Sequence, residues 1–96
     1  ETFIEESYIP SYSGIMMALY LPKKAISSRD RVIIIDDVIR SGETQRALMN
    51  LTSKVGATVT GIFILVAIGS LWEKELILPA NCQMEILVRL PTPSHS

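Results

Sequence analysis

Two adjacent carboxylates, Asp36 and Asp37, are followed by two apolar residues and then by Arg40, Ser41, Gly42, Glu43 and Thr44. Those residue types in that order suit the binding of a sugar phosphate. A carboxylate pair accepts hydrogen bonds from vicinal hydroxyls and helps hold a magnesium ion through water or ligand oxygens. A glycine lets the backbone come close to an anion, and Ser41 and Thr44 add hydroxyl donors at the start of a helix, where the dipole also favours negative charge.

Two elements must position these groups. Ahead of the doublet lies Val32-Ile33-Ile34-Ile35, an all-apolar, β-branched run of the kind that forms a strand buried on both faces of a parallel sheet, with the carboxylates ending it. Behind the loop, Ala47, Leu48, Leu51 and Val55 recur at helical spacing from Thr44 onward, and Gly56 supplies the stop. At the carboxyl end of a parallel strand the chain opens into the crevice where α/β sheets bind ligands. An Asp-Asp pair alone has a blander explanation, since Asp starts turns and caps helices. The whole string in register points to a nucleotide-phosphate or sugar-phosphate site.

Val32 to Thr44 resembles the signature by which type I phosphoribosyltransferases bind phosphoribosyl pyrophosphate (PRPP): apolar positions, two acidic residues, then Thr or Ser, Gly, any residue, Thr. By that resemblance Asp36 and Asp37 bind the ribose hydroxyls, Arg40, Ser41, Gly42, Glu43 and Thr44 wrap the 5′-phosphate, and Asp37 also stands near the base as a proton acceptor. Magnesium is expected with PRPP, and no metal-ligating residue of the protein is assigned. Ser41 stands where Thr is commoner, and Glu43 where many members have Gly. Glu43 is unfavourable beside a phosphate unless its side chain turns outward or caps the helix.

The 96 residues, with 48% hydrophobic residues and a formal net charge of -1, describe one compact domain without the basic footprint of a nucleic-acid or membrane-surface binder. The single cysteine, Cys82, reads as a packed or partly exposed thiol, since the only histidine, His95, sits in the tail. A reducing cytoplasm follows as the expected location. The longest apolar run, from Ile62 to Ile68, suits a buried strand and is too short for a bilayer. Only about thirty residues precede the signature, and Glu1 is not an initiator Met. Family members are longer, so the chain reads as a carboxyl-terminal portion, associating with a missing half or a partner chain and inactive if it acts alone.

Residues 1–13 show no period and read as a flexible loop or peripheral segment; 14–90 read as the α/β domain, and 91–96 as a tail. The resemblance places a closing loop ahead of the signature, and Ser7 to Gly14, with Tyr8, Ser11, Tyr12 and Ser13, lies where that loop would fall. An ordinary solvated amino-terminal segment explains those residues equally well. Gly14 to Pro22 is expected to form a strand closing at Leu21, with Met16 and Met17 in the core. A polar connector, Lys23 to Asp30, follows, with a helical turn around Ala25 and Ile26 and with Lys23 and Lys24 on a solvated face. Val59 to Ile68 reads as a second parallel strand reached by a right-handed crossover. Ser70 to Leu78 reads as a helix ended by Pro79, with Trp72 packed beneath it rather than stacked on a base. Met84 to Leu90 alternates as a last strand.

The fold these features imply is a partial type I phosphoribosyltransferase-like, Rossmann-like parallel sheet with flanking helices. The expected activity is a glycosyltransferase reaction of nucleotide salvage, moving the phosphoribosyl group of PRPP to a nucleobase with release of pyrophosphate. The strings SGETQRAL and LYLPKKAI resemble the adenine, hypoxanthine and xanthine branch, and the resemblance also implies a homodimer. One rival is a PRPP- or nucleotide-sensing transcriptional regulator without turnover, the one reading that brings in nucleic acid. PRPP synthetase, with a similar motif but a larger chain, ranks behind both.

Overall fold

The computed structural model describes residues 2–10 and 13–93. Its centre is a parallel three-stranded sheet in the order β3-β4-β5, formed by Arg31–Ile39, Thr58–Ile68 and Gln83–Leu90. Helix α1, Glu43–Val55, makes the crossover from β3 to β4, and the single turn α2, Trp72–Glu75, lies between β4 and β5. A separate antiparallel hairpin joins β1, Phe3–Tyr8, to β2, Met17–Pro22.

The apolar runs explain the sheet. Ile34, Ile39, Val59, Ile62, Ile64 and Ala67 are buried in one cluster with Trp72 and Leu76, and Leu48 and Met49 of α1 pack against it. At a parallel-strand rise of about 3.3 Å per residue, β3 carries its side chains alternately to the two faces. The other face is open: Ile33, Ile35, Leu65 and Leu87 are exposed, Ile35 by 78% and Leu87 by 77%. Parallel sheets are ordinarily covered on both faces, so this apolar surface is the kind that further polypeptide buries.

Several expectations change. Strand β3 runs on through Asp36 and Asp37 to Ile39, so the acidic pair lies within the strand instead of ending it. Val38 and Ile39 continue the β-branched run and pair with Val66 and Ala67 of β4, which carries the ladder past the charges. The segment 1–13, expected without a committed element, contains strand β1. Its inward residues are Ile4, Glu6 and Tyr8, two of them polar, which is why no apolar alternation announces it. Ser11 and Tyr12 lie outside the described residues, as does His95. Met16 and Met17, expected in the core, are exposed by 66% and 43%, because the hairpin sits at the periphery of the sheet. The connector from Lys23 to Asp30 forms turns, closed by Asp30 accepting from the Ser27 amide at 2.9 Å, with no helical turn.

The helix expected over Ser70 to Leu78 shrinks to α2. Leu76 is already extended, so α2 ends at Glu75, well before Pro79. Trp72 is buried, as the sequence suggests, and donates its ring N–H to the Gly69 carbonyl at 3.1 Å. Cys82 is half-buried against the core, and burial pushes its thiol pKa up, away from nucleophilic chemistry. Among the described residues no helix is long and apolar enough to cross a membrane.

The hairpin is held along α1 by polar contacts. Lys54 Nζ sits 2.8 Å from Glu6 Oε1 and donates to the Glu5 carbonyl at 2.6 Å, and Asn50 donates to Glu6 Oε2 at 3.1 Å. The hydrogen bonds from Lys54 and then Asn50 hold the Glu6 carboxyl below its ordinary value of 4.5. A carboxyl whose folded pKa is depressed stabilises the fold above its unfolded pKa and loses that contribution as pH falls through the folded value. Glu6→Gln should therefore melt below wild type at neutral pH, and the gap between the two melting temperatures should close as the pH is lowered beneath 4.5. A gap that persists in acid would show that the contact acts through shape and not charge.

Candidate functional site

The loop between β3 and α1 builds a cleft. Val38, Arg40, Ser41, Gly42, Glu43, Thr44 and Gln45 line a space of about 370 Å³ at the carboxyl end of β3. The five loop residues singled out in the sequence are thus brought together around one hollow. Gly42 precedes α1 with φ of 86° and ψ of 3°, the left-handed conformation that L side chains rarely adopt, and no side chain caps the helix there. Thr44 and Gln45 of the first turn line the cleft, and a helix start placed beside a hollow is an arrangement that can bind anions.

The glycine has a second reason to be there. A Cβ on Gly42 would stand 3.2 Å from Trp72 Cβ and 3.7 Å from Leu76 Cβ. It would meet α2 and not the cleft. The single turn between β4 and β5 is therefore the back wall on which the loop rests.

Glu43 is tied to Ser41 within the loop while still lining the cleft. Ser41 Oγ donates to Glu43 Oε1 at 2.7 Å, and the Glu43 amide reaches Ser41 Oγ at 3.4 Å. The side chain folds back over the turn, so the Ser41 proton points at Glu43 instead of into the hollow. At the far side of the cleft, Tyr8 Oη lies 2.9 Å from Thr44 Oγ1 and ties the end of β1 to the first turn of α1. Among the described residues of the segment expected to close over the site, Tyr8 makes a hydrogen bond to the start of α1.

The acidic pair does not line this cleft. Asp36 and Asp37 lie within β3, and three residues at about 3.3 Å each separate Asp37 from Arg40 by roughly 10 Å. That interval suits a molecule carrying hydroxyls at one end and a phosphate at the other. Asp36 is half-buried and Asp37 exposed. Each carboxylate accepts from the next backbone amide: Asp37 N donates to Asp36 Oδ1 and Val38 N to Asp37 Oδ1, both at 2.8 Å. Burial, and then the neighbouring Asp37 carboxyl, push the pKa of Asp36 up, whereas Asp37 is held down by the hydrogen bond from Asp36 and by the Val38 amide. Two like charges this close titrate as a pair, with the first proton favouring Asp36.

One residue of the candidate site escaped the sequence reading. Gln45 is buried, 2% exposed, and its side-chain amide donates to Asp36 Oδ2 at 2.8 Å and to the Val38 carbonyl at 3.2 Å. It is the group that joins the acidic pair to the cleft. A signal was present: Gln45 lies three residues before Leu48 and seven before Thr52, spacings that put it on the same side of α1 as those residues. Among the described residues no group of three or more His, Cys, Asp or Glu forms a metal cage.

No family model matches the chain. Known proteins do. The xanthine phosphoribosyltransferase of Macrococcus caseolyticus is 33% identical over 93 residues, spanning 93% of this chain and 48% of that protein. The adenine phosphoribosyltransferase of Kosmotoga olearia is 43% identical over 51 residues, spanning 53% of this chain and 30% of that protein. Among solved structures, that of adenine phosphoribosyltransferase from Rhodothermus marinus superposes with a TM-score of 0.78 at 32% identity, over 93% of this chain and 49% of that one. The chain spans about half the length, or less, of the curated relatives it matches.

Proposed function

From a chain with the sequence and fold of the type I phosphoribosyltransferase family, purine branch, over the part of those proteins it spans, we propose that the protein transfers the phosphoribosyl group of PRPP to a purine base and releases pyrophosphate. The observation that carries this is the cleft at the carboxyl end of β3, lined from Arg40 to Gln45 and joined by Gln45 to an acidic pair one sugar phosphate away. Asp36 and Asp37 take the ribose hydroxyls. Arg40, Ser41, Gly42, Glu43 and Thr44 take the 5′-phosphate, mainly through Arg40 and the backbone amides, since Glu43 holds the Ser41 proton.

Little covalent chemistry falls to these groups. Bond breaking at the ribose C1 leaves an oxocarbenium-like centre, and the site's work is to fix ribose and phosphate in place while water is kept away. The depressed pKa of Asp37 suits it to accepting hydroxyl hydrogen bonds more than to removing a proton from the base. Asp36 and Asp37 are hard oxygen donors, which fits a magnesium ion that arrives with PRPP and meets the protein through one or two carboxylates or their waters. Held there by Asp36 and Asp37, such an ion would supply positive charge to the departing pyrophosphate.

The names of the matched relatives are those of transferases, which favours turnover over sensing alone. The apolar open face of the sheet supports a larger assembly, with a homodimer as the form proposed, in a cytoplasmic enzyme. The test is PRPP-dependent release of pyrophosphate by the full-length protein with magnesium, against adenine, hypoxanthine, guanine, xanthine, orotate and uracil in parallel. Release with one purine is the expected result. Release with a pyrimidine alone, or none from protein that binds PRPP, would overturn the assignment.

A further inference from the structure

We infer that Gln45 is a positioning residue of this site, its buried amide aiming the Asp36 carboxylate at the sugar hydroxyls; the inference rests on the reading of the site given above. The geometry is complete at Asp36. Oδ1 accepts from the Asp37 amide and Oδ2 from Gln45 Nε2, each at 2.8 Å, so both oxygens are held and neither is free to rotate away. Each oxygen still has a lone pair for a ligand hydroxyl.

The orientation of Gln45 is dictated by its surroundings. Its amide nitrogen faces a carboxylate oxygen and the Val38 carbonyl, two acceptors, so the opposite amide orientation would set an oxygen against both. Gln45 belongs to α1 and Asp36 to β3, so the bond fixes the helix bearing the phosphate-binding amides to the strand bearing the hydroxyl acceptors. It also lines the cleft itself. A residue in that position sets the distance between the two halves of the ligand site.

A positioning role makes a selective prediction. Gln45→Met keeps length and apolar packing and removes both donors, leaving Asp36 free to turn. Affinity for ribose 5-phosphate, followed by amide chemical shifts, should fall about tenfold, the worth of one charge-assisted hydrogen bond. Affinity for inorganic phosphate, which has no hydroxyls for Asp36 to meet, should fall by clearly less, no more than about threefold on the same scale. In an Asp36→Asn background, Gln45→Met should add little further loss, because the group it positions is already altered. Equal losses for both ligands, or none for ribose 5-phosphate, would overturn the inference.

A second measurement does not depend on how well the Gln45 variant folds. The Gln45 side-chain amide resonances should shift in Asp36→Asn, and indifferent resonances would also overturn the inference. Wild-type protein that ignores ribose 5-phosphate altogether would instead bring down the functional reading on which this one stands.

Discussion

Replacing both members of the acidic pair, Asp36→Asn with Asp37→Asn, should abolish measurable PRPP binding while leaving the protein folded. Hydrogen bonds to a charged group contribute about 1.5–3 kcal/mol each, so losing both carboxylates amounts to at least about a hundredfold in affinity. The fold should survive for a reason visible at the site. The carboxamide that replaces the Asp36 carboxylate still offers a carbonyl oxygen to the Gln45 amide, and the substitution removes the like-charge contact that raises the Asp36 pKa. Calorimetric titration with PRPP and magnesium, together with a thermal melt, separates the two effects. Unchanged affinity in a folded double variant would remove the acidic pair from the site.

Gly42→Val has the second large effect, and it reaches beyond binding. The left-handed backbone at Gly42 costs an L residue about 1–2 kcal/mol, and a β-branched one more. The new Cβ also meets Trp72 Cβ at 3.2 Å, closer than comfortable contact, with Leu76 behind it. Together these suggest roughly 3 kcal/mol, which in a domain of this size lowers the melting temperature by roughly 10–20 °C. Phosphate binding should be lost with it, because the loop must change shape for α2 to keep its place. The structure turns the added side chain toward Trp72 and Leu76. Gly42→Ala, with the same Cβ but no branch, should show a smaller drop in the same direction. A Gly42→Val variant that melts like wild type and binds ribose 5-phosphate unchanged would show that the loop does not rest on α2.

Strong local patterns explain what was legible beforehand. The β-branched runs from Val32 and from Val59, the helical stripe from Ala47 to Val55 and the left-handed Gly56 each report on a buried face or a backbone need of their own residues. The loop after β3 is equally self-contained, since its residues are contiguous and its glycine is forced by backbone geometry. What stayed hidden depends on partners distant in sequence. Strand β1 turns Glu6 toward Asn50 and Lys54, so its inward face is polar and no periodicity marks it. Tyr8 and Thr44 are 36 residues apart, and only the fold sets the hairpin beside the helix start. Gln45 reads as an ordinary helix residue until Asp36 is placed beneath it. Trp72 presents the opposite case, expected to pack and found packing, but its service to Gly42 appears only in three dimensions.

Titrating the protein with ribose 5-phosphate while following its backbone amide resonances tests the central claim most directly. The account predicts saturable shifts concentrated in Asp36, Asp37 and the run from Arg40 to Gln45, with the resonances of β5 little changed. Saturable shifts centred elsewhere, or none from folded protein, would contradict the assignment of this loop and acidic pair as the sugar-phosphate site.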